Sequence, residues 1–187
     1  LIGETLMYAQ EAEAILTAAE LEGAGATMIS FTMQSGGYLF NGTDASSLSL
    51  MQWQEIRRRH IAYLPQELDL FPELSALENI RIKNDLTGYA DEAQIHSWLE
   101  RIGLGDRKDF PVGKMSIGQQ QRVAIIRSIC QPFDFILLDE PVSHLDFRNN
   151  RIAAEIIEAE AQRNDASIIA TSVGNKLSIS SSKLLKL

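Results

Sequence analysis

The sequence predicts an α/β domain with a mainly parallel sheet, and three observations carry that prediction. The run Phe133 to Leu138 (FDFILL) is nearly all apolar, as a central parallel strand covered on both faces should be. Two further short apolar runs, Ile61 to Leu64 and Ser167 to Ala170, alternate with helix-period patterns, the order expected of strands joined by crossover helices. The central run ends in Asp139-Glu140, at a strand's carboxyl end, where open α/β sheets place their ligand chemistry.

Taken in order, Leu1 to Glu22 carries weak signals, with Thr5 to Ala9 and Ala14 to Ala18 reading as edge strands of a small antiparallel lobe. Gly23 to Thr32 (GAGATMISFT) is a glycine turn feeding a short β run, Met28 to Phe31. Ser35-Gly36-Gly37 turns into Tyr38-Leu39-Phe40, and Asn41-Gly42 then gives a strong hairpin signal. Leu48 to His60 reads as a helix capped by Ser49, with Leu50, Trp53 and Ile56 inward and Arg57, Arg58 and Arg59 on a solvated face. The short strand Ile61 to Leu64 is followed at once by Pro65-Gln66.

Ser75, with Glu78 three residues later, forms a capping box that opens a helix through Ile80, Ile82 and Leu86. Asp91 caps another, whose Ile95, Trp98, Leu99 and Ile102 stand at i, i+3, i+4 and i+7, and Gly103 ends it. Trp98 therefore belongs to the core, and His96, off that stripe, to the solvated side. Ser116 and Gln119 make a second capping box on a helix running through Val123, Ile126 and Cys130, closed by Pro132. Asp146 caps the next helix, with Ile152, Ile156 and Ile157 inward, and Lys183 to Leu187 reads as a last strand.

At 187 residues and 45% hydrophobic content, residues 1–187 suffice for a single domain with a proper core. A formal net charge of −8 disfavours nucleic acid as the main partner, because phosphate backbones are bound by clustered Lys and Arg. No apolar run approaches the roughly 18 residues of a membrane helix, and no signal peptide is recognisable. The lone Cys130 permits no internal disulfide, which fits a reducing cytoplasm.

The stretch Met115 to Asp146 also carries a phosphate chemistry. Gly118, near the start of its helix, lets backbone N–H groups approach an anion that the helix dipole favours. Asp139 offers the oxygen ligand that a hard cation such as Mg²⁺ wants, and Glu140 beside it could polarise a water for attack on a phosphoryl group.

At these residues the chain resembles the ATP-binding cassette (ABC) ATPases. MSIGQQQR (115–122) resembles the ABC signature with its trailing QQR, with Met115 for Leu and Ile117 for the first Gly; FILLDEP (135–141) resembles the Walker B strand with its glutamate, and SHLD (143–146) the D-loop. IAYLPQE (61–67) resembles the Q-loop, and LDLFPELSALENI (68–80) is similar to the lipoprotein-releasing, macrolide-export and cell-division branch. The resemblance implies an ABC-type P-loop NTPase fold, with a small antiparallel β lobe and a helical lobe at about 72–130 inserted in the α/β core. It implies an ATP-binding subunit of an ABC transporter, peripheral on the cytoplasmic face of a membrane. Such a subunit pairs head-to-tail with a second nucleotide-binding subunit and works on a membrane-spanning subunit. Asp139 and Gln66 would then serve Mg²⁺, Glu140 would be the catalytic base, and Gln66 would sense the γ-phosphate. Ser116, Gly118 and Gln119 would face ATP held by the partner, and Ser143, His144 and Asp146 would lie at the dimer interface. Tyr8 is the only candidate for stacking on adenine, though a packing role is the stronger reading for it, and the stretch Glu67 to Glu78 would rim a groove that accepts a short helix of the membrane subunit.

Two features depart from the family pattern. Where the family has a histidine after the strand 167–170, this chain has Thr171-Ser172-Val173. Ser172 can donate a hydrogen bond but cannot titrate there, so slower hydrolysis and a water-mediated contact are both open. No stretch supplies the P-loop pattern G-x-x-x-x-G-K-[ST]. Met28 to Phe31 looks like the strand before a P-loop and Gln34-Ser35-Gly36 like the turn after its helix, so a segment is expected to be missing between Phe31 and Gln34. The alternative is a catalytically degenerate half that contributes only its signature face.

Overall fold

The computed structural model describes residues 29–32, 37–40 and 43–180. The edge strands expected within 1–22, Tyr8, the last strand at 183–187, and the site of the expected missing segment lie outside them. The chain divides into two compact units, Leu1–Ser49 with Ser180–Leu187, and Leu50–Ile179.

In the first unit, β1 (Ile29–Thr32), β2 (Gly37–Phe40) and β3 (Thr43–Asp44) form an antiparallel sheet in that order. Phe40 faces Thr43 across Asn41-Gly42, the pairing that the hairpin signal predicts. Thr32 faces Gly37, so β1 pairs with its neighbour in the chain. Among the described residues it pairs with no parallel strand, whereas the strand before a P-loop would.

The second unit is the α/β core. Its elements are α1 (Leu50–Arg59), β4 (Ile61–Leu64), α2 (Ala76–Asn84), α3 (Glu92–Arg101), α4 (Ile117–Ser128), β5 (Phe135–Asp139), α5 (Phe147–Asn164) and β6 (Ser167–Thr171). The three strands are parallel in the order β4-β5-β6, with Leu64 opposite Leu138 and Asp139 opposite Thr171. The central strand β5 owes its place to its apolar run, with Phe135, Ile136 and Leu138 all buried. The edge strand β6 is half-buried at best, less covered than its Ile-Ile-Ala run suggests, because among the described residues it has a partner on one side only.

Both capping boxes form, Ser75 with Glu78 on α2 and Ser116 with Gln119 on α4, and Asp91 and Asp146 cap α3 and α5. The stripe Ile95, Trp98, Leu99 and Ile102 is fully buried, and Gly103 takes the left-handed turn (φ +73) that ends α3. Cys130 is buried, and burial pushes its thiol well above the usual range. Helix α4 packs against α2, α3 and β4. It stops at Ser128, before Pro132 is reached.

Three apolar residues read as inward face out instead. Leu50 is exposed at the start of α1, where only Ile56 is buried. Ile82 and Leu86 are exposed because α2 turns polar residues to the core. Its Asn79 amide donates to the carbonyls of Phe71, Leu74 and Ser75 and accepts from the Phe71 N–H. Asn84 clamps Ala90 through both its N–H and its carbonyl. Buried backbone groups must be paired, and satisfying these two loops outweighs burying Ile82.

No helix among the described residues is long and apolar enough to cross a membrane.

Candidate functional site

The parallel register gathers the site at one rim. Leu64 and Leu138 are paired and Asp139 faces Thr171, so Gln66, Asp139, Glu140 and Ser172 all leave neighbouring strands at their carboxyl ends. Gln66 stands exposed in the turn after β4, and Ser172 is exposed one residue past β6. Thr171 Oγ1 donates to Asp139 Oδ1 at 2.6 Å and accepts from the Glu140 N–H at 3.4 Å. That hydroxyl ties the two acidic residues to the neighbouring strand. Glu140 sits at φ +46, a left-handed conformation that is uncommon for a non-glycine residue and clusters at functional sites.

Beside the rim, the N-terminus of α4 presents its capping box. Ser116 Oγ accepts from the Gln119 N–H at 3.3 Å, and Gln119 Oε1 accepts from the Ser116 N–H at 3.0 Å. Among the described residues the Ser116 hydroxyl proton has no acceptor. Gly118 is required by proximity: a Cβ there would lie 2.7 Å from the carbonyl oxygen of His144. The turn 141–144 therefore rests directly on the helix backbone.

Gln121 holds that turn from beneath. It is 1% exposed, donates to the Glu140 carbonyl at 2.9 Å and to Ser143 Oγ at 3.2 Å, and accepts from the His144 N–H at 3.0 Å. Arg122 donates to the carbonyls of Gly118 and Ile102 and to Asn149 Oδ1, joining α4 to the end of α3 and to α5. Asp146 accepts from the Asn149 N–H at 2.8 Å, the first cause of a carboxyl held below its usual range. A cavity of about 160 Å³ opens here, lined by Ser116, Gly118, Arg122, His144, Asp146 and Asn149 among others.

The structure thus sorts the expected site residues into two groups. Gln66, Asp139, Glu140 and Ser172 share the sheet rim; Ser116, Gly118, His144 and Asp146 line the cavity, with Gln119 in the capping box and Ser143 in the turn. Thr171 and Gln121 join the groups and were not expected. The QQR trailing the signature contained Gln121, but its packing partner lies 19 residues away. Among the described residues no three His, Cys, Asp or Glu side chains cluster as a metal cage. Asp139 nonetheless fits Mg²⁺ bound with a nucleotide, since that ion takes one or two carboxylates plus phosphates and waters, and Asp139 Oδ2 accepts no hydrogen bond from the described residues.

A parallel α/β sheet whose acidic strand end and capped helix N-terminus meet at one rim fits the α/β fold of the P-loop NTPase class. The family model for ABC transporters matches residues 25–143, well over half of the chain, and the chain belongs to that family. The macrolide export ATP-binding/permease protein MacB of Rhodopseudomonas palustris (strain HaA2) is 36% identical over 138 residues, 72% of this chain and 21% of that protein. MacB of Salmonella typhimurium (strain LT2) is 34% identical over 140 residues, 73% of this chain and 22% of that protein. The chain spans about a fifth of the length of these curated relatives. The dimeric structure of MJ0796, a bacterial ABC transporter cassette, matches in fold with a TM-score of 0.63 at 23% identity, over 74% of this chain and 63% of that one.

Proposed function

We propose that the chain is the ATP-binding part of an ABC transporter, coupling ATP binding and hydrolysis at a head-to-tail dimer interface to a membrane-spanning subunit. The single observation that carries this reading is the polar cavity between the N-terminus of α4 and the turn 143–146, which offers a free hydroxyl, Ser116, and a helix N-terminus to an anion. A second nucleotide-binding subunit fits as the source of that anion, because MJ0796 is described as dimeric.

In this reading Ser116, Gly118 and Gln119 face the phosphates of ATP held by the partner subunit, while Ser143, His144 and Asp146 meet that partner. Asp139 and Gln66 would hold Mg²⁺ with the chain's own nucleotide, and the ion, when bound, would supply neutralisation of charge on the phosphoryl oxygens. Glu140 takes the proton of the attacking water, and Ser172 donates a hydrogen bond toward the transferred phosphoryl group. The membrane subunit docks along Glu67 to Glu78, at the cytoplasmic face, in keeping with relatives named as ATP-binding/permease proteins.

Replacing Glu140 by Gln in the full-length protein should keep nucleotide binding and reduce turnover by at least about a hundredfold, the usual scale of a lost general base. ATPase activity near wild type would remove Glu140 from that role. Turnover absent from the unmodified protein as well would leave a chain that supplies only its signature face.

A further inference from the structure

The turn that carries Gln66 is strained, and one arginine holds it. Among the described residues four that are not glycine take left-handed backbone angles: Leu68 (φ +63), Asp69 (φ +48), Glu140 (φ +46) and Asp165 (φ +53). Asp165 closes α5 and Glu140 follows β5, each as a single residue. Leu68 and Asp69 are adjacent. Residues other than glycine visit this region one at a time, with Asn and Asp favoured and Leu not. The pair therefore persists only where its surroundings impose it.

Three points fix the segment. Its start follows β4, where Leu64 is paired with Leu138. At its end the Asn79 amide donates to the Phe71 carbonyl at 3.1 Å and accepts from the Phe71 N–H at 2.8 Å. Between them Leu68 is buried, and Arg127, near the end of α4, donates from Nη1 to the Asp69 carbonyl oxygen at 2.6 Å. Within the turn the Leu68 N–H donates to the Pro65 carbonyl at 3.1 Å and the Asp69 N–H to the Glu67 carbonyl at 2.8 Å. Gln66 lies inside the loop that the first of these bonds closes.

Five other arginines of the described residues hold carboxylates within 4 Å: Arg58, Arg59, Arg81, Arg151 and Arg163. Among the described residues Arg127 forms no such pair. It is half-buried, and Lys83 lines the same small cavity, a setting that favours a neutral side chain. What a cation supplies there is a charge-assisted bond to a backbone carbonyl, stronger than a neutral donor would make.

We propose that Arg127 is a positioning residue for Gln66. By holding the Asp69 carbonyl it keeps the left-handed pair in place, and the pair sets where Gln66 stands at the sheet rim that it shares with Asp139. The proposal rests on the reading of Gln66 as a residue that serves Mg²⁺ with the nucleotide, and adds the residue that aims it.

The test uses the full-length protein and two readouts, neither of them turnover. The first is the Mg²⁺ concentration for half-maximal binding of a fluorescent ATP analogue. Gln66→Ala should raise it at least about tenfold, and Arg127→Met, which removes the donors and keeps the aliphatic length, about tenfold. Because Arg127 acts through Gln66, Arg127→Met should add less than about twofold in the Gln66→Ala background. Arg127→Lys retains a charged donor and should recover most of the loss. Asp69→Gly in the Arg127→Met background should recover part of it, since glycine takes positive φ freely. The second readout is amide hydrogen exchange. In Arg127→Met the Leu68 and Asp69 N–H groups should exchange at least about tenfold faster, with those of Val123 to Ile126 unchanged. No effect of Gln66→Ala, or no Mg²⁺-dependent binding in the parent, overturns the reading of Gln66 and this proposal together. A Gln66→Ala effect with parent-like Mg²⁺ dependence in Arg127→Met overturns the role of Arg127 alone. So does the full Arg127→Met loss repeated in the Gln66→Ala background, unchanged exchange at Leu68 and Asp69, or faster exchange throughout α4.

Discussion

The Gln121 side-chain amide donates to the Glu140 carbonyl at 2.9 Å and its oxygen accepts from the His144 N–H at 3.0 Å. One buried residue of the signature helix thereby holds both ends of the turn that follows β5. Removing it leaves a carbonyl and an N–H with no partner, each costing about 1–3 kcal/mol if buried. Gln121→Ala should therefore lose about 2–4 kcal/mol in urea unfolding, as a lower midpoint with an unchanged slope. A loss below about 0.5 kcal/mol would mean the turn holds itself.

Gly118 gives a case where two effects oppose. In an ordinary exposed helix, Gly→Ala stabilises by about 1 kcal/mol. Here the added Cβ would sit 2.7 Å from the His144 carbonyl oxygen, a backbone atom in a turn already held by Gln121 and thus unable to move cheaply. Gly118→Ala should lower stability by about 1–3 kcal/mol and the melting temperature by about 3–10 °C. A higher melting temperature would show that the turn yields.

Local signals in the chain named most elements of the α/β core because each was redundant. Ser116 and Gln119 state a helix start by themselves, and FDFILL can be covered only from two sides. The failures have physical causes. Whether Ile82 faces in or out depends on Asn79 and Asn84, whose amides serve loops that no periodicity reveals. The pairing of β1 with β2 is local in the chain, but a short apolar run reads alike as an antiparallel or a parallel strand. Within the site, the acidic pair and the capping box were visible as types in a pattern, whereas Gln121 and Thr171 act through contacts 19 to 32 residues distant.

Thr171 tests the positioning of Asp139. Its hydroxyl donates to Asp139 Oδ1 at 2.6 Å, a charge-assisted bond, and groups that orient a metal-binding carboxylate typically matter about 10–100-fold in metal affinity. Thr171→Val keeps the β-branched shape. It should raise the Mg²⁺ concentration needed for half-maximal nucleotide binding about tenfold, with global stability changed by less than about 1 kcal/mol. Thr171→Ser should recover most of the loss. Equal Mg²⁺ dependence in all three proteins would detach Thr171 from the site.

Tyr89 supplies a pH-dependent prediction far from that rim. Its hydroxyl donates to Glu160 Oε2 at 2.8 Å and accepts from Asn164 Nδ2 at 2.7 Å, and the Arg163 guanidinium lies 4.9 Å from the ring centroid. Burial first, and then the hydrogen bond to Glu160, push the phenol up to about 12, against about 10 in an unfolded chain. The neutral phenol is the form the fold prefers. As pH rises past about 10, the unfolded chain releases this proton while the folded one keeps it, so the folded state binds more protons and stability falls with pH. The contribution is fully present below pH 10 and is lost as pH approaches 12. Tyr89→Phe removes this proton, so the difference in urea midpoint between parent and variant should be constant from pH 7 to 9 and shrink above pH 10. Ultraviolet titration at the tyrosinate band should show one phenol fewer among those ionising latest. A difference in midpoint that stays constant through pH 11 would mean that Glu160 does not hold the Tyr89 proton.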